Sequence, residues 1–113
     1  MTKRYQNTAQ FIAQEAPIES FYCLSKQALE NQVQRFISGF SGVVAYAVKA
    51  NPAPELVHAL AACGIRAYDV ASIAEVALVR GIMPNAYVMY DNPVKSRDEI
   101  TQAYHDYGVK SYA

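Results

Sequence analysis

The sequence predicts an α/β fold in which short, buried, parallel strands alternate with helices. A pair formed by a small residue and a tyrosine occurs four times, and its tyrosines are 22, 19 and 25 residues apart. A strand, a helix of about ten residues and two turns use that much chain, so the repeat indicates consecutive βα units. The predicted strands are continuous apolar runs, as expected of strands covered on both faces. The four pairs are Ala45-Tyr46, Ala67-Tyr68, Ala86-Tyr87 and Ser111-Tyr112.

Composition and charge restrict the class of protein. The chain has 113 residues, of which 52% are hydrophobic, and this is the composition of about one small domain with a core. Ten basic residues balance ten acidic ones, so no positive field predicts binding to nucleic acid or to an anionic membrane. No run approaches the roughly 18 consecutive apolar residues of a membrane span, and no signal-peptide pattern opens the sequence. We therefore expect a soluble, cytoplasmic protein.

The two cysteines, Cys23 and Cys63, both lie in apolar stretches of sequence. They are too few for a disulfide framework, and neither has the nearby Cys or His partners of a zinc site. We expect two buried free thiols and no bound metal.

The first elements precede and open the repeat. Residues 1–19 lie outside it as an N-terminal extension, and residues 20–24 are a candidate for an additional strand. Residues 25–37 carry apolar side chains at the i, i+4, i+7 and i+8 spacing of an amphipathic helix, with Ser25 as its N-cap and Gly39 as its stop.

The βα units then follow in order, each marked by its own caps. Pro54 suits the first turn of a helix, and Gly64 would end it. Ser72 and Glu75 have capping-box spacing, as have Ser96 and Glu99, and each pair would begin a helix. The predicted strands cover residues 42–48, 65–70, 86–90 and 109–113. The predicted helices between them cover residues 54–63, 72–80 and 96–107, and Gly81 and Gly108 would end the last two. Tyr104 and Tyr107 of the last helix are predicted to lie in the core.

Polar residues collect where the predicted strands end, which is the edge at which parallel α/β folds carry their chemistry. Lys49 follows the first strand, and strand alternation would place it on the same face as Ala45 and Ala47, next to open space. A desolvated lysine there could act as a nucleophile for Schiff-base chemistry. A lysine that extends its amine from a strand end into solvent fits the same spacing.

Three motifs in register resemble those of the ornithine, diaminopimelate and arginine decarboxylases, which have an alanine-racemase-type barrel and use pyridoxal phosphate. The resemblance covers residues 20 to 113. Its motifs are Tyr46-Ala47-Val48-Lys49-Ala50-Asn51-Pro52, Tyr68-Asp69-Val70-Ala71-Ser72 followed by Glu75, and Asp91-Asn92-Pro93-Val94-Lys95.

The resemblance implies that residues 20–113 are the N-terminal part of a (β/α)₈ TIM barrel that binds pyridoxal 5′-phosphate, with about three βα units and the start of a fourth strand. It implies that Lys49 holds the cofactor as a Schiff base and that Asp69 stabilises the protonated nitrogen, both as catalytic residues. Ala47, Ser72 and Glu75 would complete the cofactor site.

Several of these positions keep a structural interpretation beside the functional one. Asp69 could cap a turn, and Glu75 could serve its capping box alone. Asn92 and Lys95 are predicted to hold a turn rather than to contact a ligand. His58 and His105 are predicted to be surface residues.

The resemblance also bears on substrate and partners. The Asp-x-Ala-Ser and Asn-Pro-x-Lys spellings favour an ornithine decarboxylase over a diaminopimelate decarboxylase, hence a basic amino-acid substrate and putrescine synthesis. A diaminopimelate, lysine or arginine decarboxylase of the same family is an alternative. The full-length family is expected to form homodimers. We expect the 113 residues to be an N-terminal fragment that is inactive alone, and a truncated non-catalytic relative is the alternative.

Overall fold

The computed structural model describes residues 3–113, so Met1 and Thr2 of the predicted N-terminal extension lie outside the described residues. Its centre is a four-stranded parallel sheet in which strand order equals sequence order. Each strand is joined to the next by a crossover that contains a helix, and the first crossover also contains one 3₁₀ turn directly after β1. The strands are β1 (Ala45–Ala47), β2 (Ala67–Val70), β3 (Tyr87–Tyr90) and β4 (Ser111–Tyr112), and the 3₁₀ turn covers Val48–Ala50.

Helix beginnings follow the predicted caps. Ser25, Ser72 and Ser96 each accept a hydrogen bond from the backbone N–H of the third helical residue, with oxygen–nitrogen distances of 3.1 to 3.2 Å. The Ser96–Glu99 pair forms both bonds of a capping box. The helices are α1 (Thr8–Glu15), α2 (Lys26–Gly39), α3 (Pro54–Cys63), α4 (Ile73–Ile82) and α5 (Arg97–His105).

Of the four glycines predicted to end helices, two do so and two do not. Gly64 (φ 112°) and Gly108 (φ 64°) adopt the left-handed conformation that glycine favours, and helix α3 has its predicted bounds. The predictions for Gly39 and Gly81 are wrong, because both residues lie inside their helices. Neither has a positive φ. Gly39 is the last residue of α2, and α4 continues past Gly81 to Ile82; the residues that follow, Phe40 and Met83, leave helical geometry with negative φ.

The predicted strand over residues 20–24 does not form; these residues are irregular and outside the sheet. The extension before it contains helix α1, which our sequence analysis did not predict. Asn7 caps this helix by accepting the Gln10 N–H at 2.9 Å, and an Asn followed three residues later by Gln is a recognised helix-start signal. The helix packs through an aromatic cluster of Tyr5, Phe11 and Phe21, with ring centroids 4.6 to 5.0 Å apart.

The strand register shows that the four tyrosine pairs are not equivalent. Tyr46 of β1 is opposite Tyr68 of β2, but Val88 rather than Tyr87 is opposite Tyr68. Because neighbouring strand residues point to opposite faces, this offset of one residue places Tyr87 on the other face, where it is 58% exposed. Tyr90 takes the buried position in β3 and is opposite Tyr112 of β4.

The core lies on one face of the sheet, between the strands and the helices. Tyr68, Val70 and Tyr90 of the sheet are at most 1% exposed, and the helices contribute Val57 and Val79, which are fully buried. We call this the covered face. Sequential parallel strands joined by right-handed crossovers place all connecting helices on one side, which explains the arrangement.

The opposite face carries no helix among the described residues, and we call it the open face. Alternation assigns to it Ala45, Ala47, Ala67, Asp69, Tyr87, Met89 and Ser111. Most of these side chains are exposed or half-buried; Ala67 is the exception, because its methyl group lies between Ala45 and Tyr87 in register. In a closed barrel this face is the interior.

Two predictions about the core need correction. Tyr104 is 55% exposed because it lies on the outer side of α5, whereas Tyr107 is half-buried against the core. Cys23 is exposed because the segment around it joins no strand, while Cys63 is a half-buried free thiol. His58 and His105 are exposed, as predicted.

Candidate active site

Three turns follow the carboxyl ends of β1, β2 and β3, and together we call them the carboxyl rim: residues 48–53, 71–72 and 91–96. Lys49 lies in the first of them, at the centre of the 3₁₀ turn. Fully buried Val48 anchors this turn in the core, and the Lys49 side chain is exposed. The predicted alternation does not extend to Lys49, because extended geometry ends at Ala47.

Asp69 lies on the open face of β2, one residue before the strand ends. In register it is opposite Ala47 of β1 and Met89 of β3. Parallel strands are about 4.8 Å apart, so the half-buried Asp69 carboxylate lies beside the small side chain of Ala47. Ala47 in turn precedes Lys49 by two residues. Among residues 3–113 the salt bridge present is that of Lys3 with Glu15, so Asp69 and Lys49 form no direct ion pair.

Ser72 and Glu75 organise the second turn of the rim. The Ser72 hydroxyl accepts the Glu75 N–H at 3.2 Å, while the Glu75 carboxylate accepts the Ala71 N–H at 2.8 Å. Glu75 therefore returns to the residue before the N-cap rather than to the N-cap itself, which differs from a standard capping box by one position. Both side chains are half-buried and hold the backbone that leads out of β2.

Asn92 and Lys95 hold the third turn, as predicted. The Asn92 oxygen accepts the Val94 N–H at 3.1 Å, and its amide nitrogen donates to the Ala71 carbonyl at 2.8 Å. Lys95 donates to the carbonyls of Asn92 and Ala113 and lies 5.7 Å from the centre of the Tyr90 ring. The second and third turns and the end of β4 are therefore connected.

The layer below the rim is apolar and rich in tyrosine. Burial raises the pKa of Tyr46, whose hydroxyl donates to the Asn51 carbonyl at 3.0 Å, a bond that lowers the pKa in part. Burial is also the main cause that raises the pKa of Tyr90, followed by the negative charges of Glu99 and Glu75. Both phenols stay protonated at neutral pH, where Tyr46 acts as a hydrogen-bond donor and the Tyr90 ring packs edge-on against Tyr112.

Two cavities of the described residues lie away from this rim. A groove of about 580 Å³ lies beside the amino end of β1 and the end of α2, next to Phe36 and Phe40. A smaller one of about 290 Å³ lies at the amino ends of β3 and β4, next to Arg80 and Lys110. We assign the candidate site to the rim, because its functional groups converge there and because the carboxyl edge is where such sheets bind ligands.

The structure thus brings Lys49, Ala47, Asp69, Ser72 and Glu75 to one edge of the sheet. The bond from Asn92 to the neighbouring turn was not predicted, since the Asn-Pro spelling predicts a local turn but no cross-strand contact. The bonds from the Arg80 guanidinium to the carbonyls of Tyr107 and Pro84, at 2.7 and 3.0 Å, were not predicted either.

Two further findings concern metals and membranes. Within residues 3–113 no group of three or more His, Cys, Asp and Glu side chains is arranged to hold a metal ion. None of the helices in this described part of the chain combines the length and the hydropathy that crossing a bilayer requires.

Comparison with known proteins identifies what this edge resembles. The family model described as "pyridoxal-dependent decarboxylase, pyridoxal binding domain" matches residues 26–111. This match covers β1, β2, β3, the first residue of β4 and all of the rim residues discussed above. The comparison with curated proteins found no match.

Solved decarboxylase structures share the fold. Lysine/ornithine decarboxylase from Vibrio vulnificus, complexed with putrescine, has a TM-score of 0.72 and 26% identity, over 94% of this chain and 30% of its own. Ornithine decarboxylase from Entamoeba histolytica has a TM-score of 0.69 and 28% identity, over 77% and 26%. Lysine decarboxylase from Selenomonas ruminantium has a TM-score of 0.71 and 29% identity, over 98% and 31%. The chain thus spans less than a third of the length of these structures.

Proposed function

The chain belongs to the pyridoxal-dependent decarboxylases, as part of their pyridoxal binding domain, and from this membership we propose that Lys49 binds pyridoxal 5′-phosphate covalently for amino-acid decarboxylation. The observation that carries the proposal is the placement of an exposed lysine on a well-anchored turn at the carboxyl edge of a parallel sheet. Its amine would join the aldehyde carbon of the cofactor with loss of water.

The residues around Lys49 fit such a group. Ala47 and Ala71 have the smallest side chains available to an L-residue, so they leave room beside Lys49 and at the end of β2. Fully buried Val48 holds the turn, so the lysine is presented by a fixed backbone rather than by a flexible loop. The Asp69 carboxylate on the neighbouring strand supplies negative charge near the position of a protonated nitrogen.

The cofactor would supply an electron sink for the bond to the departing carboxylate. In our proposal Asp69 stabilises the protonated form of the nitrogen that Lys49 contributes, and Lys49 can carry a proton after the carboxylate has left. Ser72 and Glu75 hold the turn that follows Asp69, and the Glu75 carboxylate adds to the negative field on this side.

We propose a basic amino acid as the substrate, with ornithine before lysine, arginine or diaminopimelate. The Asp-x-Ala-Ser and Asn-Pro-x-Lys motifs support ornithine, and of the three similar solved structures one is named for ornithine, one for lysine and one for both. We also propose that the functional protein is a cytoplasmic homodimer. The 113 residues span at most 31% of those structures, so we expect them to release no CO₂ from any of the four amino acids when tested alone.

Reductive trapping tests the central claim. The purified chain would be incubated with pyridoxal phosphate, reduced with borohydride and digested, and the modified peptide would be identified by mass spectrometry. We expect the adduct on Lys49 and its loss in Lys49→Ala. Lys110, which is exposed and lies near the other end of the sheet, is the matched control, and Lys110→Ala should leave the adduct unchanged. Equal labelling of Lys49 and Lys110 would contradict the proposal.

A further inference from the structure

The Ala71 peptide, at the end of β2, is held from both sides. Its N–H donates to the Glu75 carboxylate and its carbonyl accepts from the Asn92 amide, each at 2.8 Å. The two partners come from different βα units, since Glu75 belongs to α4 and Asn92 to the turn after β3. The backbone that connects Asp69 to helix α4 is therefore fixed by a neighbouring turn as well as by its own helix.

Asn92 is itself held in one orientation. Its oxygen accepts the Val94 N–H at 3.1 Å, so the amide nitrogen faces Ala71, and rotating the amide by half a turn would oppose two oxygens. Its backbone carbonyl accepts from Lys95, which also binds the carbonyl of Ala113 beyond β4. The link to Ala71 thus starts from a well-braced residue.

The first turn of the rim shows that this link is not a by-product of the Asn-Pro sequence. Asn51 precedes Pro52 as Asn92 precedes Pro93, and its oxygen accepts the N–H two residues later, from Ala53, at 3.0 Å. Within residues 3–113, however, the Asn51 amide nitrogen makes no side-chain bond to another turn, whereas that of Asn92 does. The cross-strand bond is an additional property of Asn92.

We propose that Asn92 is a positioning residue for the cofactor site: it sets the Ala71 peptide, and through it the end of β2 that carries Asp69, against the group bound to Lys49. The inference rests on the proposed function, because the covalent bond to Lys49 is what the positioned edge would serve. Asn92 acts through Ala71, and the proposal requires no contact of its own side chain with the cofactor.

The sharpest variant is Asn92→Asp. It retains an oxygen for the Val94 N–H but replaces the donor to Ala71 with a second oxygen. That oxygen and the Ala71 carbonyl oxygen then repel each other at the half-buried end of β2. We expect the affinity for pyridoxal phosphate, measured as Lys49 adduct against cofactor concentration, to fall about tenfold, the scale of one unmade hydrogen bond. Exchange of the Ala71 amide hydrogen, measured by NMR, should become faster.

Three further variants separate positioning from general effects. Asn92→Ser keeps a neutral acceptor for the local turn and is too short to reach Ala71, so it should show the same loss and replaces Asn92→Asp if that variant does not fold. Ser25→Ala removes the cap of α2, which lies outside the carboxyl rim, and destabilises the fold by a comparable amount. Asn85→Asp makes the same charge change at an exposed position at the amino end of β3. Neither control should change the affinity.

The outcomes are distinct. A Lys49 adduct in the unmodified chain with a tenfold weaker affinity in Asn92→Asp and Asn92→Ser supports the proposal. Unchanged affinity in both variants, or an equal loss in Ser25→Ala, overturns the positioning role and leaves the proposed function intact. No adduct on Lys49 in the unmodified chain overturns both.

Discussion

The two faces of the sheet differ in the size and polarity of the residues that they carry. The covered face presents Tyr68, Val70 and Tyr90, each at most 1% exposed. The open face presents Ala47, Asp69 and Ser111 at the matching carboxyl end. The same short strands therefore serve two purposes, because alternate residues contribute packing on one side and leave space beside polar groups on the other.

This difference separates stability from chemistry within one element. Large buried side chains contribute most of the free energy of folding, and none of the proposed cofactor residues is among them. Substitutions on the covered face should change unfolding, and substitutions on the open face should change ligand binding. Four predictions test that division, from the largest expected effect to the smallest.

Tyr68→Ala should be the most destabilising change on either face. The ring is fully buried and its hydroxyl donates to the Ile65 carbonyl at 3.3 Å, so the loss in free energy of unfolding should be about 3–5 kcal/mol. Tyr87→Ala is the matched control on the open face, where the ring is 58% exposed, and it should cost well under half as much. Urea denaturation measures both, and equal losses would remove the distinction between the faces.

Ala47→Leu should produce the opposite pattern. The added bulk lies on the open face beside Asp69 and two residues before Lys49, so the affinity for pyridoxal phosphate in the trapping assay should fall about tenfold, or about 1.4 kcal/mol. The midpoint of urea unfolding should change little, because open space receives the new side chain. An Ala47→Leu variant that unfolds early but still forms the adduct would contradict our assignment of the faces.

Ser25→Ala should weaken the helical layer at its edge. The Ser25 hydroxyl caps α2 by accepting the Ala28 N–H at 3.2 Å, and removal of such a cap costs about 1 kcal/mol. Ser41→Ala, at an exposed bend just after the same helix, is the control and should be neutral. Thermal unfolding followed by circular dichroism compares the two variants, and a neutral Ser25→Ala would show that this cap does not contribute.

Alkaline pH should lower the stability of the fold through ionisation of Tyr68 on the covered face. Burial raises the pKa of Tyr68, and the nearby Arg66 charge lowers it in part. The unfolded chain ionises near its ordinary value of about 10, so stability is constant below that pH and falls as the pH rises toward the folded value. Tyr68→Phe should flatten this fall. Urea midpoints at pH 8 and pH 11 test it, and an identical slope in both proteins would exclude Tyr68 as the cause.

Local signals predicted much of the fold. Helix α3 has its predicted bounds because Pro54 and Gly64 mark both of its ends, and the Ser96–Glu99 capping box formed as its spacing indicated. The family resemblance rested on motifs at the strand ends, and the family model confirms it. Lys49, Asp69 and Glu75 lie at the expected edge, while their roles with the cofactor stay predictions.

Relations between strands were harder to predict. The tyrosine repeat suggested equivalent positions, but a register offset of one residue separates Tyr87 from Tyr68, and no single strand contains that information. The bond from Asn92 to Ala71 depends on the same cross-strand geometry. Gly39 and Gly81 misled the prediction because a glycine ends a helix only where the chain actually adopts a positive φ.

The sequential order of the strands has a consequence for how the protein is made. Strands β2, β3 and β4 each pair with the strand synthesised immediately before them, so these three pairings need no strand that leaves the ribosome later. Contacts between neighbouring units close short loops, which lowers the entropic cost of folding and shortens the time during which apolar strands are unprotected. This part of the sheet can therefore grow in the direction of translation, one βα unit at a time, with the Lys49 turn completed before the turns that follow β2 and β3.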